Sequence, residues 1–271
     1  MKTEAVIDTV SAKPANIINS AVNVLQALRF IADVRLPVNV TEIAEHLDVS
    51  HPTAFRIART LTHEGFIEFD ASSRTYQVSM DLVGLAWNIL ERVEVRDIAR
   101  PFIRETVRKF GETITLAIPG EQSVCFVDRV EGTTNVRFFC DIGRRLPLHA
   151  GAAAKATLAY LPQRDFDEYV SEPLQKMTAN TITDPDKLHL ERERIRYQGY
   201  SVSVDEVDIG VSAVGVPVLN HNGEVIAAAA IANLTARWGE ENFATRAEAM
   251  LELAAKLNEA CTHLLPKRAA G

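Results

Sequence analysis

The stretch TEIAEHLDVSHPTAFRIARTLTHEGFIEFDASSRTYQVS, residues 41–79, decides how the N-terminal third of this chain folds. Thr41 stands before the amphipathic run EIAEHL and is placed to cap a helix, its hydroxyl accepting an orphan backbone N–H. Asp48-Val49-Ser50 interrupts that run. Ser50 is placed to cap a second helix, with Pro52 in the first turn, where a missing N–H costs little. This helix runs to about His63 and stops at Gly65. Two short helices a few residues apart, the second presenting Arg and Thr outward, form a helix-turn-helix pattern. Two apolar-alternating stretches follow, flanking the polar turn Asp70-Ala71-Ser72-Ser73-Arg74, and predict a β-hairpin. A hairpin directly after a recognition helix is a wing, and Arg74 lies at its tip.

Upstream, residues 18–32 place Ile18, Val22, Leu25, Leu28 and Ala32 at helical spacing, behind a tail over 1–16. Downstream, residues 81–110 are charge-rich and helical, with a break expected near Pro101. Residues 81–97 are taken as a linker helix and 98–271 as the next domain, leaving 17–80 for the winged helix. After Gly111 the texture changes to strands: TITLAIPG, QSVCFVDRVEG and TTNVRFFCDIG. Helices are predicted at 151–161, 164–172 and about 185–198. The strands SVSVDEV, SAVGVPVLN and EVIAAAAIA come next, the last two joined by a His221-Asn222-Gly223 turn. A helix at about 240–265 closes the chain. Helices flanking a mainly antiparallel sheet define an α+β domain.

The bulk numbers fit two domains. The 271 residues are 47% hydrophobic and 24% charged, ordinary for a globular chain. No apolar run approaches the ~18 residues that span a bilayer, and the N-terminus has no signal-peptide core. Three cysteines without a C-x-x-C pair encode neither a disulfide framework nor a zinc site, which points to a reducing cytoplasm and no metal or cofactor. A net charge of −7 argues against a generic nucleic-acid coat, and residues 1–80 hold seven Lys/Arg against nine Asp/Glu. A specific binder needs only a local positive face. Residues 50–63 contain no acid, and Arg56 and Arg59 lie within them. Ser50, His51, Pro52 and Thr53 occupy the first turn, the part of a recognition helix that meets base edges and phosphates. With Arg74, these are the candidate contacts to double-stranded DNA.

Other residues invite chemistry that the spacing does not support. His149 has no second ligand at metal-binding spacing, so it is read as a buried, hydrogen-bonded histidine. GVSAVG (210–215) is no nucleophile elbow, because its second glycine is one residue late. GAAAKA (151–156) lacks the Gly-Lys-Ser/Thr end of a phosphate loop. Asp205 and Glu206, taken as neighbours on a strand, point to opposite faces and make no acid/base pair. Arg129 and Arg137 can each bind a ligand carboxylate bidentately or form salt bridges with Asp128, Glu131 or Asp141, and the weight falls on the salt bridges. Phe126, Phe138 and Phe139 serve either ring stacking or core packing, and Cys125 and Cys140 fill strands as small apolar residues.

From about residue 17 to 265 the chain resembles the IclR family of bacterial regulators. The blocks are T-L-x-x-E-G-F-I (60–67), G-x-x-x-P-L-H-A (143–150) followed by Lys155 and Leu158-Ala159, T-I-T-D (181–184), G-Y-x-x-x-x-x-E (199–206) and G-V-x-x-x-x-x-P-V (210–218). The resemblance implies a DNA-binding repressor of a catabolic operon, a homodimer or homotetramer on a palindromic or repeated operator, and a GAF-like or profilin-like domain that binds a small effector. Matching positions place that effector around Gly151, Ser203, Ala213, Ala230 and Ala232, and His149, Ala150, Glu206, Phe126, Arg129 and Arg137 complete the candidate effector-binding set. Ala154 stands where the family has glycine before the lysine, which argues against a tight backbone turn there. Members that bind glyoxylate or pyruvate offer Cys and Ser at 213, 230 and 232, where this chain has alanine. A small oxoacid needs several buried donors, so an alanine floor suits a flatter aromatic acid, amide or related catabolite. Effector is expected to close the cup and change how the 81–97 helices pack between subunits, resetting the ~34 Å spacing of the recognition helices. Two other classes are kept open: a ligand-binding protein whose winged helix contacts protein, and a small-molecule hydrolase on the α+β domain.

Overall fold

A computed structural model describes residues 17–34, 36–90, 94–133 and 141–266, and the chain separates into two compact units between residues 89 and 90. The first holds α1 (Asn19–Asp33), α2 (Val40–Leu47), α3 (His51–His63), the hairpin β1 (Ile67–Asp70) and β2 (Thr75–Val78), and all but the last residue of α4 (Asp81–Leu90).

Helix α2 begins two residues earlier than the sequence suggests. Asn39, not Thr41, is its cap: Asn39 Oδ1 accepts the N–H groups of Thr41 (2.9 Å) and Glu42 (3.1 Å). Glu42 Oε2 in turn accepts the Asn39 N–H at 2.7 Å, closing a capping box. Ser50 does occupy the cap position of α3, but its hydroxyl bonds Thr53 Oγ1 at 2.9 Å instead of a backbone N–H. The buried face of α1 is also rotated from the expected one. Ala27 and Ile31 are buried, with Val24 and Leu28 packed beside them, whereas Ile18, Leu25 and Ala32 are exposed. These residues meet Ile43 of α2, Ala54, Ile57, Ala58 and Leu61 of α3, and Ile67 and Tyr76 of the hairpin. Val38 pairs with Tyr76 and fastens the wing to the helices.

The second unit is built on a six-stranded, wholly antiparallel sheet in the order β5-β4-β3-β8-β7-β6. The strands are β3 (Thr113–Pro119), β4 (Ser123–Val130), β5 (Arg145–Pro147), β6 (Ser201–Val204), β7 (Val211–Leu219) and β8 (Val225–Leu234). One face carries Ile114, Leu116, Val214, Val216, Val218 and Ile231, packed in one core with residues of α5 (Glu94–Phe110) and α9 (Glu240–Ala260). Helix α5 runs through Pro101 without the expected break. The other face receives α6 (Ala152–Ala159), every residue of which is buried, while α7 (Gln163–Ser171) and α8 (Pro185–Gln198) lie outside it. Gly215 makes that packing possible: a Cβ there would stand 2.5 Å from the Ala152 carbonyl carbon.

One strand expectation changes and one short strand is added. Most of TTNVRFFCDIG lies outside the described residues, and the short β5 that follows was not foreseen. Strand β6 ends at Val204, because Asp205 adopts a left-handed backbone (φ 56°) that no extended strand accommodates.

Candidate DNA-contact surface and effector cup

On the first unit, α3 buries Ala54, Ile57, Ala58 and Leu61 and leaves Ser50, His51, Pro52, Arg56 and Arg59 exposed, with Thr53 half-buried. The acid-free stretch is therefore also an outward-facing one. Phe55, 46% exposed beside Arg56, belongs to the same surface and was missed because an aromatic at helical spacing reads as core. At the wing, the Asp70 carboxylate accepts Ser72 N–H (2.8 Å), Ser72 Oγ (2.6 Å) and Ser73 Oγ (2.8 Å). These donors stabilise its charged form and hold its pKa down to about 2. The turn ends on Arg74, exposed and left-handed at φ 57°.

On the second unit, strand register brings most of the candidate ligand residues to the α6 face. Thr115 stands opposite Arg129 on one side and Ala230 on the other. Thr113 pairs with Ala232, Ala232 with Ala213, and Ala213 with Ser203. Directly opposed residues share a face, so Thr113, Ala232, Ala213 and Ser203 form one row across four strands. Ala213 and Ala232 remain partly exposed although both sit in central strands. Ser203 is buried, and its hydroxyl bonds none of the described residues. Phe126, opposite Ala117, is buried in the same core as Leu146 and Leu148. Sequence reasoning missed Thr113 and Thr115, which the alternation of TITLAIP does encode: Ile114 and Leu116 face the core, so the threonines face the cup.

The polar candidates around α6 are largely engaged. Lys155, 2% exposed, donates to Glu206 Oε1 (2.5 Å), Val202 O (2.7 Å) and Glu191 Oε1 (2.9 Å). Glu206 Oε2 accepts the Gly151 N–H at 3.2 Å. Burial pushes the Glu206 carboxyl above its ordinary pKa, and the Lys155 charge opposes that shift. Glu206 is thus a brace between Lys155 and the start of α6, and it lies in a loop, not on a strand beside Asp205. Asp205 Oδ1 instead accepts Gly210 N–H (2.9 Å) and Thr235 Oγ1 (2.6 Å). The tight turn is at Gly151 (φ 89°), and Ala154 sits inside the helix.

Both ring nitrogens of His149 are used. Nε2 lies 2.9 Å from the Gln175 carbonyl and Nδ1 2.6 Å from the Tyr169 hydroxyl. A carbonyl only accepts, so Nε2 carries the proton and Nδ1 accepts from Tyr169. Burial lowers the histidine pKa, which keeps this neutral tautomer. Ala150 is fully buried next to it. Arg129 is salt-bridged to Glu131 (2.8 Å) and Asp141 (3.3 Å). Arg137, with Phe138, Phe139 and Cys140, lies outside the described residues.

Comparison with known proteins follows the same division of the chain. Residues 20–71 match the family model described as the IclR helix-turn-helix domain, and residues 87–259 match that of the bacterial transcriptional regulator IclR C-terminal region. The chain is 30% identical over 220 residues to the HTH-type transcriptional regulator KipR of Bacillus subtilis (strain 168), covering 81% of this chain and 88% of that protein. It is 30% identical over 249 residues to the HTH-type transcriptional regulator KdgR of Escherichia coli (strain K12), covering 90% and 92% respectively. The crystal structure of the Thermotoga maritima IclR superposes with a TM-score of 0.76 at 29% identity, covering 90% of this chain and 99% of that one. An IclR homolog from Microbacterium hydrocarbonoxydans, crystallised with 4-hydroxybenzoate, shares the fold with a TM-score of 0.73 at 22% identity, covering 89% and 98%.

Proposed function

Since the chain belongs to the IclR family of bacterial transcriptional regulators, and so is a DNA-binding regulator with an effector-binding domain, we propose that it is a repressor of a catabolic operon released by an aromatic acid, amide or related catabolite. The observation that carries the effector class is the row Thr113–Ala232–Ala213–Ser203. Its centre is two small apolar side chains left partly exposed, and hydroxyls stand only at its ends. Such a floor suits a planar apolar body with polar groups at its rim. It offers little to a small oxoacid, whose oxygens need several donors each. Ser203 is the polar position we assign to effector, and Gly151, whose N–H is held by Glu206, borders the cup at the start of α6. Phe126, His149, Ala150, Ala213, Ala230 and Ala232 give the cup its shape, and Arg129 and Glu206 keep its charged edge in order.

For DNA, Ser50 at the cap of α3 and His51, Pro52, the half-buried Thr53, Arg56 and Arg59 on it enter the major groove, and Arg74 reaches phosphate or minor groove from the wing. Phe55 is placed to meet a thymine methyl. A palindromic operator requires two recognition helices about 34 Å apart, hence a second copy of the chain. The exposed Ile17, Ile18 and Leu25 of the α1 region and Val83 and Leu85 of α4 supply apolar surface for that association. The protein acts in the cytoplasm, where its operator lies, and residues 81–97 serve as the linker through which effector occupancy changes the spacing of the two winged helices. A ligand shifts that equilibrium only by its difference in affinity for the two arrangements.

The test is a gel shift and footprint on the DNA beside the gene, with glyoxylate, pyruvate, benzoate, 4-hydroxybenzoate and benzamide as effectors. A protected repeat released by an aromatic compound and not by the oxoacids supports the reading. Release by glyoxylate or pyruvate alone overturns the effector class, and absence of any footprint at low salt overturns the DNA contacts assigned here.

A further inference from the structure

Strands β5 and β6 are the two opposite edges of the six-stranded sheet. In a flat sheet five strand spacings separate them, about 24 Å at roughly 4.8 Å each. Arg144, immediately before β5, nevertheless places its guanidinium Nη1 3.2 Å from Asp208 Oδ2, in the loop after β6. The arginine side chain on one edge and the four-residue reach from Val204 to Asp208 on the other together close that gap across the concave face of the sheet. The same two segments also converge on the start of α6. A Cβ added to Gly151 would lie 3.1 Å from Val207 Cγ2 and 3.3 Å from Leu146 Cδ1.

Each side of this contact is fixed by its own backbone. Gly143 N–H donates to Phe126 O at 2.7 Å, and Phe126 N–H donates to Arg144 O at 3.0 Å, which holds Arg144 beside the cup-facing Phe126. Across the sheet, Asp205 at φ 56° and Gly210 at φ 88° bound the loop that carries Asp208. The arginine and aspartate side chains are 28% and 51% exposed, so water and salt reach the pair. A bridge of this exposure is worth little. It is strong enough to bias two positions of a loop and weak enough to open on every binding event.

We infer that Arg144 and Asp208 form a clasp that closes the concave sheet face edge to edge and gates the passage of small molecules to Ala213, Ala232 and Ser203. The inference rests on the reading of that face as the effector site, but the clasp can be tested without any effector. Ser203→Cys, and separately Ala213→Cys, is introduced into the full-length protein. Its alkylation by iodoacetamide, a small neutral reagent that the charges do not steer, is followed by peptide mass spectrometry. The expected result is that labelling at either position speeds up about two- to five-fold in Arg144→Gln or Asp208→Asn, the range open to an exposed ion pair. It also speeds up on raising salt in the parental chain. The charge reversal Arg144→Asp with Asp208→Arg returns it to the parental rate, with the unfolding temperature unchanged throughout. Equal labelling rates in all chains and no response to salt would overturn the clasp, as would a rise that merely follows a lowered unfolding temperature. The effector panel above addresses the site itself, so the two readings fail independently.

Discussion

Replacing Lys155 by methionine removes a buried charge while keeping its volume and reach. In the native fold the ammonium holds two carboxylates and a carbonyl within 2.9 Å, with the lysine 2% exposed. Glu191, 15% exposed at its side chain, can turn toward water when the lysine is lost. Glu206, 7% exposed, cannot, and keeps only the Gly151 N–H as a donor. Removing one partner of a buried ion pair costs about 3–5 kcal/mol, and with Glu191 free to escape the expectation is the lower half of that range at pH 7. The pH dependence identifies the cause. Glu206 already has a raised pKa, and losing Lys155 raises it further. Between the unfolded and folded pKa values the folded state therefore binds more protons, so stability falls as pH rises through that window. The variant should thus recover part of its deficit on going from pH 7 to pH 5, more than the parental chain does. Lys155→Met with Glu206→Gln should lose most of this pH dependence. Urea unfolding of the three chains at both pH values measures all of it. A deficit under 1 kcal/mol, or one that does not change with pH, would refute the argument that Lys155 neutralises a buried carboxylate.

Three further outcomes follow from the geometry. Gly215→Ala drives a Cβ to 2.5 Å from the Ala152 carbonyl carbon, a backbone atom that cannot rotate away, and should cost about 1–3 kcal/mol in thermal unfolding while shifting α6. Asn39→Ala removes the α2 capping box and should destabilise the winged helix by about 0.5–2 kcal/mol in urea unfolding. Arg56→Ala should weaken operator binding and lower the slope of log K against log salt by about 0.9 if the residue meets a phosphate, read by gel shift across a salt series; an unchanged slope together with lost sequence preference would assign it to a base edge instead.

Local order in the chain was enough for the winged helix and for most element boundaries in the second unit. The Asp48–Ser50 break, Pro52 in the first turn of α3, Gly65 after its end and the Asp70–Arg74 turn are short-range constraints, each set by neighbouring backbone groups. The same holds for the alternation of TITLAIP. The Asn39-x-x-Glu42 box is equally local, although the apolar pattern points to Thr41, two residues late. Other features depended on partners far apart in sequence. Periodicity gives α1 an apolar stripe but not its angle, which is set by how Ile43 and Ile57 pack against Ala27 and Ile31. Lys155 finds Glu191 and Glu206 36 and 51 positions away, and Arg144 meets Asp208 64 positions away. Such pairings follow from strand register and the curl of the sheet. Spacing along the chain encodes which residues can form a helix or strand, because those hydrogen bonds close within a few residues. Which charges share a buried site is decided only when the whole sheet is assembled, because that choice depends on distances created by folding.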